Sequence, residues 1–221
     1  NYLDSIDTTV ETTGGKDFFF FFTKHTDKFL ILLYKYILRN NFGSHQPMSS
    51  SIPISLVALG SYGREQLCIY SDIDIMLLYE NVKGYNLKNI MEEFITLAWD
   101  CGLKLGSRVH ELKEISDAVK EDITIKSSIL ESRLIYGSKN LWFGYENVLS
   151  KIRKTNQKEF VLDKLEEHKQ RLLKYPLKME PNIKDGYGGI RESNMMYWMA
   201  NILYGATNTK DLIGTQFTED E

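Results

Sequence analysis

The sequence is poor in cysteine and histidine, with two cysteines and four histidines among 221 residues. Two cysteines are too few for a disulfide framework and are not spaced as a zinc site, and the histidines are scattered along the chain. No metal site built on histidine or cysteine is visible. This composition suits a reducing compartment, so we expect a cytoplasmic protein.

Long hydrophobic runs and an excess of positive charge are missing as well. The longest apolar stretch, Phe18–Phe22, is far too short to span a bilayer and lacks the flanks of a signal peptide, so we expect no membrane partner. The net charge is -3 and the pI is near 5.9. Because a basic face is the usual footprint of nucleic-acid binding, we expect no nucleic-acid partner.

The hydrophobic patterning predicts a strand-rich middle followed by helices. Short apolar runs predict strands at Ile54–Leu59, Ile73–Tyr79 and Leu103–Leu112, and three- and four-residue spacing predicts a helix over Phe18–Leu38. Later helices are predicted at Leu87–Cys101, Glu114–Val119, Ser127–Tyr136, Trp142–Arg153, Phe160–Tyr175 and Met195–Tyr204.

These elements predict an α/β (α+β) fold in three regions. Residues 1–50 form an N-terminal helical extension, residues 51–138 the core with the sheet, and residues 139–221 a mostly helical domain. At 221 residues, the chain is long enough for one large domain or two small ones.

Two acids one residue apart, Asp72 and Asp74, interrupt a run of Ile, Leu and Met that should be a buried strand. Side chains alternate across a strand, so both carboxylates project from the same face, about 6 to 7 Å apart along the backbone. Burying them without a partner is costly, whereas Mg²⁺ prefers oxygen ligands and commonly uses one or two carboxylates plus substrate phosphates. The pair therefore predicts a site for a nucleotide-bound magnesium ion.

A glycine turn stands just upstream of the pair. Gly60 and Ser61 end one strand and open a helix, which brings backbone N–H groups close to a bound anion. Arg64, one turn on, is placed to reach a phosphate. Each motif is weak alone, because a Gly-Ser pair can be only a turn and acids often cap strand ends. The two motifs together, with ten residues between Ser61 and Asp72, are more specific. They predict a phosphate-binding turn beside a metal-binding strand.

The string GSYGREQLCIYSDIDIMLL resembles the nucleotidyltransferase superfamily typified by DNA polymerase β, and is similar to the amino-terminal domain of the bacterial PII uridylyltransferase family. Residues 97–137 and 180–206 resemble later segments of that family, so the likeness covers about residues 20–214. Family enzymes continue into an HD phosphohydrolase domain and glutamine-sensing ACT domains. We therefore expect a fragment, or a relative that carries only the transferase portion.

The resemblance implies a polymerase β-like nucleotidyltransferase core with a mixed sheet. It also implies the transfer of UMP from UTP to a tyrosine of the PII nitrogen-regulatory protein, with release of pyrophosphate. The UTP phosphates would lie against Gly60 and Ser61, and Asp72 and Asp74 would hold Mg²⁺. Superfamily members generally place a third carboxylate on the later strand. Glu111 is the nearest candidate, and an exposed glutamate at the strand end is the alternative.

Lys184 and Arg191 flank the glycine-rich loop KDGYGGIR, which is similar to part of the family signature E-P-x-x-K-x-G-x-G-G-L-R-D. Either both side chains contact nucleotide phosphate, or the glycines only make a tight connection and Arg191 pairs structurally. Other functions stay open: a degenerate nucleotide-binding regulatory module, a transferase with another acceptor, or an RNA-tailing enzyme, which the acidic pI disfavours.

Overall fold

The computed structural model describes residues 15–43, 47–48, 51–175, 180–206 and 209–213. The beginning of the predicted N-terminal extension, residues 1–14, lies outside the described residues. The helices and strands, numbered in chain order, are α1 (Gly15–Phe42), β1 (Ile54–Ala58), α2 (Gly60–Gly63), β2 (Ile73–Tyr79), α3 (Leu87–Asp100), β3 (Leu105–Glu111), α4 (Ile115–Glu121), α5 (Ile123–Leu130), β4 (Arg133–Gly137), α6 (Lys139–Lys154), α7 (Gln157–Lys174) and α8 (Ile190–Tyr204).

The sheet has four strands in the order β3-β2-β1-β4. The inner strand β1 pairs antiparallel with β2 and β4, whereas the other inner strand, β2, also pairs parallel with β3. All five residues of β1 are buried, as expected for an apolar run covered on both faces. The mixed α/β class predicted from the sequence is therefore confirmed.

The contacts divide the chain into two compact units. The first contains Asn1–Ile115 and Glu131–Glu146, and the second contains Ser116–Leu130 and Asn147–Glu221. This grouping differs from the predicted boundary at residues 138 and 139, because Ser116–Leu130 joins the later helices and the first part of α6, up to Glu146, joins the unit that contains the sheet. The predicted domain division itself stays a prediction.

In the first unit, α1 and α3 pack against the sheet. Tyr34 of α1 contacts Phe94 of α3 edge to face, with ring centroids 6.2 Å apart, and both side chains are buried together with Ile75 of β2. In the second unit, α5, α7 and α8 pack against one another. Over the parts of the chain that the structure describes, no helix is both long and apolar enough to cross a membrane.

The prediction of one helix over Ser127–Tyr136 is wrong. The structure has α5 up to Leu130 and then the strand β4, in which Leu134 pairs with Val57 and Tyr136 with Leu56. The apolar residues in this stretch fit both helical and extended spacing. The extended conformation forms because the segment pairs with β1, which is distant in the sequence.

Candidate functional site

The carboxylate of Asp74 faces the glycine turn. The turn and the strand are joined directly, because the N–H of Leu59 donates to the backbone carbonyl of Asp74 over 2.9 Å. A Cβ atom built on Gly60 would lie 3.6 Å from Oδ2 of Asp74, at ordinary contact distance. Asp74 is exposed in a strand whose neighbours Ile73 and Ile75 are buried.

Asp72 lies immediately before β2 and is also exposed. Because side chains alternate along extended backbone, residues two apart point to the same side of a strand. The structure therefore brings Asp74 and the Gly60-Ser61 turn together at one end of the sheet, with Asp72 two residues before Asp74 in the chain. That both carboxylates project to one side stays a prediction from this alternation.

Gly106 lies on the other side of Asp74. The parallel register of β2 and β3 places Asp74 opposite Gly106, and a Cβ atom at Gly106 would lie only 2.4 Å from Oδ1 of Asp74. The carboxylate thus occupies the space that a side chain would need. Sequence reasoning missed this residue, although the strand that contains it was predicted.

The turn itself depends on two glycines. Gly60 has φ of +54°, in the left-handed region that glycine adopts without strain. At Gly63 a Cβ atom would lie 1.8 Å from the carbonyl oxygen of Glu131 and 3.1 Å from that of Ala58. The chain therefore passes between two backbone carbonyls where only glycine fits. Gln66 donates its N–H to the carbonyl of Ser61 over 2.8 Å, which closes the turn.

Arg64, the predicted phosphate ligand, forms an ion pair with Glu131. Its Nε also donates to Oε1 of Gln66 over 3.2 Å. The Glu131 side chain is only 9% exposed, so the pair is partly removed from water. Arg64 is next to the turn, as predicted, and its contact with phosphate stays a prediction. Sequence reasoning missed Glu131, for which the signal was an acid inside the apolar stretch ILESRLIYG.

Tyr62 of the same turn is fully buried and points toward α1. Burial, followed by the negative charge of Asp27, raises the pKa of the Tyr62 hydroxyl far above its usual value of 10.0. Tyr62 is therefore a neutral hydrogen-bond donor at any working pH. Its buried side chain connects the turn to Asp27 of α1.

The structure does not place Glu111 beside the acidic pair. In the register of β2 and β3, Glu111 lies opposite Tyr79, whereas Asp74 lies opposite Gly106. Five residues of strand separate the two positions, which is about 16 Å. Glu111 is also not the exposed strand-end residue of the alternative, because it is 8% exposed and accepts from Lys113 at 2.9 Å.

The strand β3 thus adds no third carboxylate beside Asp74. Among the described residues, no three His, Cys, Asp or Glu side chains are grouped so that they could hold a metal ion. A cation at this site would be bound by Asp72 and Asp74 and would need other ligands from a bound molecule or from water.

Lys184 and Arg191 belong to the second unit. Nε of Arg191 donates to Oδ1 of Asp185 over 2.7 Å, and the Arg191 N–H donates to the carbonyl of Lys184 over 3.0 Å. The N–H of Lys184 donates to Oδ1 of Asn182, also over 3.0 Å. These contacts fit the interpretation of a tight connection in which Arg191 pairs structurally. A contact of either side chain with phosphate stays a prediction.

The chain is similar in sequence to known uridylyltransferases over most of its length. A family model described as GlnD PII-uridylyltransferase matches residues 159–221. The bifunctional uridylyltransferase/uridylyl-removing enzyme of Ectopseudomonas mendocina (strain ymp) is 35% identical over 172 residues, which are 76% of this chain and 19% of that enzyme. The enzymes of the same description from Pseudomonas fluorescens (strain SBW25) and Azotobacter vinelandii (strain DJ / ATCC BAA-1303) are 36% and 34% identical with the same coverage.

The resemblance predicted from the motifs is therefore confirmed. The chain spans about a fifth of the length of the curated relatives that it matches, since the matched part is 19% of each. A solved toxin-antitoxin structure with AMP-PNP covers 60% of this chain and 95% of its own, with 15% identity and a TM-score of 0.35. A TM-score this low carries no argument about function.

Proposed function

We propose, from the homology of this chain to the PII uridylyltransferases, that it is a magnesium-dependent nucleotidyltransferase. It transfers UMP from UTP to a tyrosine of a PII-type regulatory protein and releases pyrophosphate. The observation that supports this most directly is the position of the Asp74 carboxylate, whose Oδ2 lies 3.6 Å from the point that a Cβ atom on Gly60 would occupy.

The residues present fit a magnesium ion. Asp72 and Asp74 supply hard oxygen ligands, and both are exposed. They are two residues apart where the chain enters β2, so alternation of side chains predicts that both project to the same side. When bound, Mg²⁺ supplies positive charge that offsets the charge of the phosphates. The Gly60-Ser61 turn contributes backbone N–H groups and one hydroxyl, which are donors suited to phosphate oxygens.

The charges of the site make nucleotide binding depend on a divalent cation. Asp72, Asp74 and a triphosphate are all anionic, so without a cation they repel one another. We therefore expect UTP to bind in the presence of Mg²⁺ and to bind far more weakly after chelation with EDTA. Isothermal titration calorimetry with and without EDTA measures this difference.

A second candidate is a regulatory module that binds nucleotide without transferring it. The observation that favours it is on β3, where Gly106 rather than an acid lies opposite Asp74. With Glu111 at the other end of the strand, no side chain of β3 supplies a third carboxylate next to the pair. Such a site binds nucleotide but has no base to activate an attacking hydroxyl.

One experiment separates the two candidates. The chain is incubated with Mg²⁺, labelled UTP and a PII-type protein, and mass spectrometry measures the mass added to tyrosine. Addition of UMP supports the transferase. Binding of Mg²⁺-UTP without added mass supports the regulatory module, and the absence of both binding and transfer contradicts both proposals.

Asp74→Ala tests the site residue directly. Because charge neutralisation supplies most of the rate in phosphoryl and nucleotidyl transfer, we expect the transfer rate to fall by at least about 100-fold. The melting temperature should change little, since Asp74 is exposed. Glu80→Ala is the matched control, because Glu80 is an exposed acid directly after the other end of β2. A parental transfer rate in Asp74→Ala would contradict the assignment.

A further inference from the structure

One face of α1 contacts the segment that follows the glycine turn. Thr23 and Lys24 precede Asp27 by four and three residues, so each of them neighbours Asp27 on the helix surface. Oγ1 of Thr23 accepts from the N–H of Leu67 over 3.2 Å, and Nζ of Lys24 forms an ion pair with Glu65. The segment that follows the turn is therefore held against α1 at Glu65 and at Leu67.

Asp27 is the centre of these contacts. It is 8% exposed, and its Oδ1 accepts from the hydroxyl of Tyr62 over 2.7 Å. Arg133, the first residue of β4, donates to both carboxylate oxygens, over 2.9 and 3.0 Å. Two-point pairing of this kind fixes geometry as well as charge, because the guanidinium plane and the carboxylate plane must align.

Arg133 also contacts the turn directly. Its guanidinium lies 5.5 Å from the centroid of the Tyr62 ring and donates to the Tyr62 carbonyl over 3.4 Å. Its Nε lies 3.6 Å from Oε1 of Glu65. Glu65 has φ of +62°, which is uncommon for a residue with a side chain. The strained backbone of Glu65 is thus held by two cations, Lys24 and Arg133.

On its other side, the same turn contacts β2, the strand that carries Asp74. The N–H of Leu59 donates to the carbonyl of Asp74, and Oδ2 of Asp74 lies 3.6 Å from the point that a Cβ atom on Gly60 would occupy. A displacement of Tyr62 would therefore move the turn relative to Asp74. Since the reacting groups of a nucleotide must be held within a fraction of an ångström, this distance matters for transfer.

We propose that Asp27 is a positioning residue, which acts through Tyr62 to fix the Gly60-Ser61 turn against Asp74. On this view α1 is a structural part of the nucleotide site and not an appended extension. The effect on transfer rests on the proposed function, whereas the effect on the turn does not.

Tyr62→Phe is the cleanest test. It removes the hydroxyl that contacts Asp27 and keeps the ring under Arg133. Asp27→Ala is less suitable, because it leaves the guanidinium of Arg133 partly buried without its carboxylate and would lower stability as a whole. Tyr34→Phe is the matched control: Tyr34 is a buried tyrosine on the same helix, and within the described chain its hydroxyl has no hydrogen-bond partner.

Hydrogen exchange measures the position of the turn without any assay of activity. We expect the amides of Gly63, Arg64 and Gln66 to exchange about tenfold faster in Tyr62→Phe, relative to the amides of β1, because a hydrogen bond to a charged group is lost. Tyr34→Phe should leave the exchange of these amides at the parental rate. Parental exchange of the turn in Tyr62→Phe would overturn the proposal.

Kinetics then test the consequence. At temperatures where both variants are fully folded, we expect kcat for transfer from UTP to fall about tenfold in Tyr62→Phe and to be unchanged in Tyr34→Phe. Faster exchange with a parental kcat and KM would also overturn the proposal, because the turn would have moved without consequence. If the parent chain transfers nothing, the proposed function fails, and hydrogen exchange alone still decides whether Asp27 positions the turn.

Discussion

Gly106→Ala should disable the acidic pair without unfolding the protein. The added Cβ atom would lie 2.4 Å from Oδ1 of Asp74, whereas ordinary contact begins at 3.4 Å, so the oxygen must move by about 1.0 Å. A misplacement of about 1 Å at a reacting centre can cost about 100-fold in rate. We therefore expect transfer from UTP to fall by about 100-fold, together with weaker binding of Mg²⁺.

The fold should tolerate this substitution. Gly106 does not have a positive φ, so alanine can adopt its backbone conformation. The atoms that must move belong to the end of the Asp74 side chain and not to the backbone. We expect the free energy of unfolding, measured by urea denaturation, to change by less than about 1 kcal/mol.

Gly144→Ala is the control for the glycine-to-alanine change. Gly144 lies on α6, and a Cβ atom there would meet only the Cδ2 atom of Leu112, at 3.1 Å. Transfer and Mg²⁺ affinity should stay at parental values in this variant. A Gly106→Ala protein with parental kcat and KM would refute the reasoning, because it would show that the position of the Asp74 carboxylate does not matter.

Two further predictions concern stability. Gly63→Ala should lower the free energy of unfolding by about 1 to 3 kcal/mol or more, because the Cβ atom would meet backbone carbonyls that cannot move away. Urea denaturation measures this change, and a parental midpoint would contradict the close approach of Gly63 to the Glu131 carbonyl. Burial, and then the charge of Arg108, lower the pKa of His110 below its usual 6.5. The unfolded chain therefore binds this proton at a higher pH than the folded chain, so stability should fall as the pH drops below about 6.5. His110→Gln should make the unfolding free energy less dependent on pH between 8 and 5, and an unchanged pH profile would show that His110 has no part in it.

The sequence predicted the elements whose signals are local. Three strands follow apolar runs, and the alternation of side chains places Asp72 and Asp74 on one side of β2. The Gly60-Ser61 turn follows from glycine, which adopts the positive φ observed there. These features require only neighbouring residues. In the structure the three strands form and the Asp74 carboxylate faces the Gly60 turn, whereas the shared side of Asp72 and Asp74 stays a prediction.

The features that were missed depend on residues distant in sequence. The strand β4 forms by pairing with β1, and Gly106 is next to Asp74 because of the register of two parallel strands. The same register separates Glu111 from the pair, although Glu111 is on the predicted strand. A shift of a few residues in register moves a side chain by many ångströms, and a single sequence does not specify it.

The ion pair of Arg64 changes the electrostatics expected of the turn. The sequence predicted Arg64 as a cation for phosphate, but in the structure Glu131 balances its charge. Counted over Asp72, Asp74, Glu131 and Arg64, three carboxylates and one guanidinium leave two negative charges around the turn. A single divalent cation cancels that charge, so attraction of UTP to the site should follow the occupancy of Mg²⁺ more closely than the presence of Arg64. The affinity for UTP should therefore depend more strongly on the concentration of Mg²⁺ than on substitution of Arg64 by Gln.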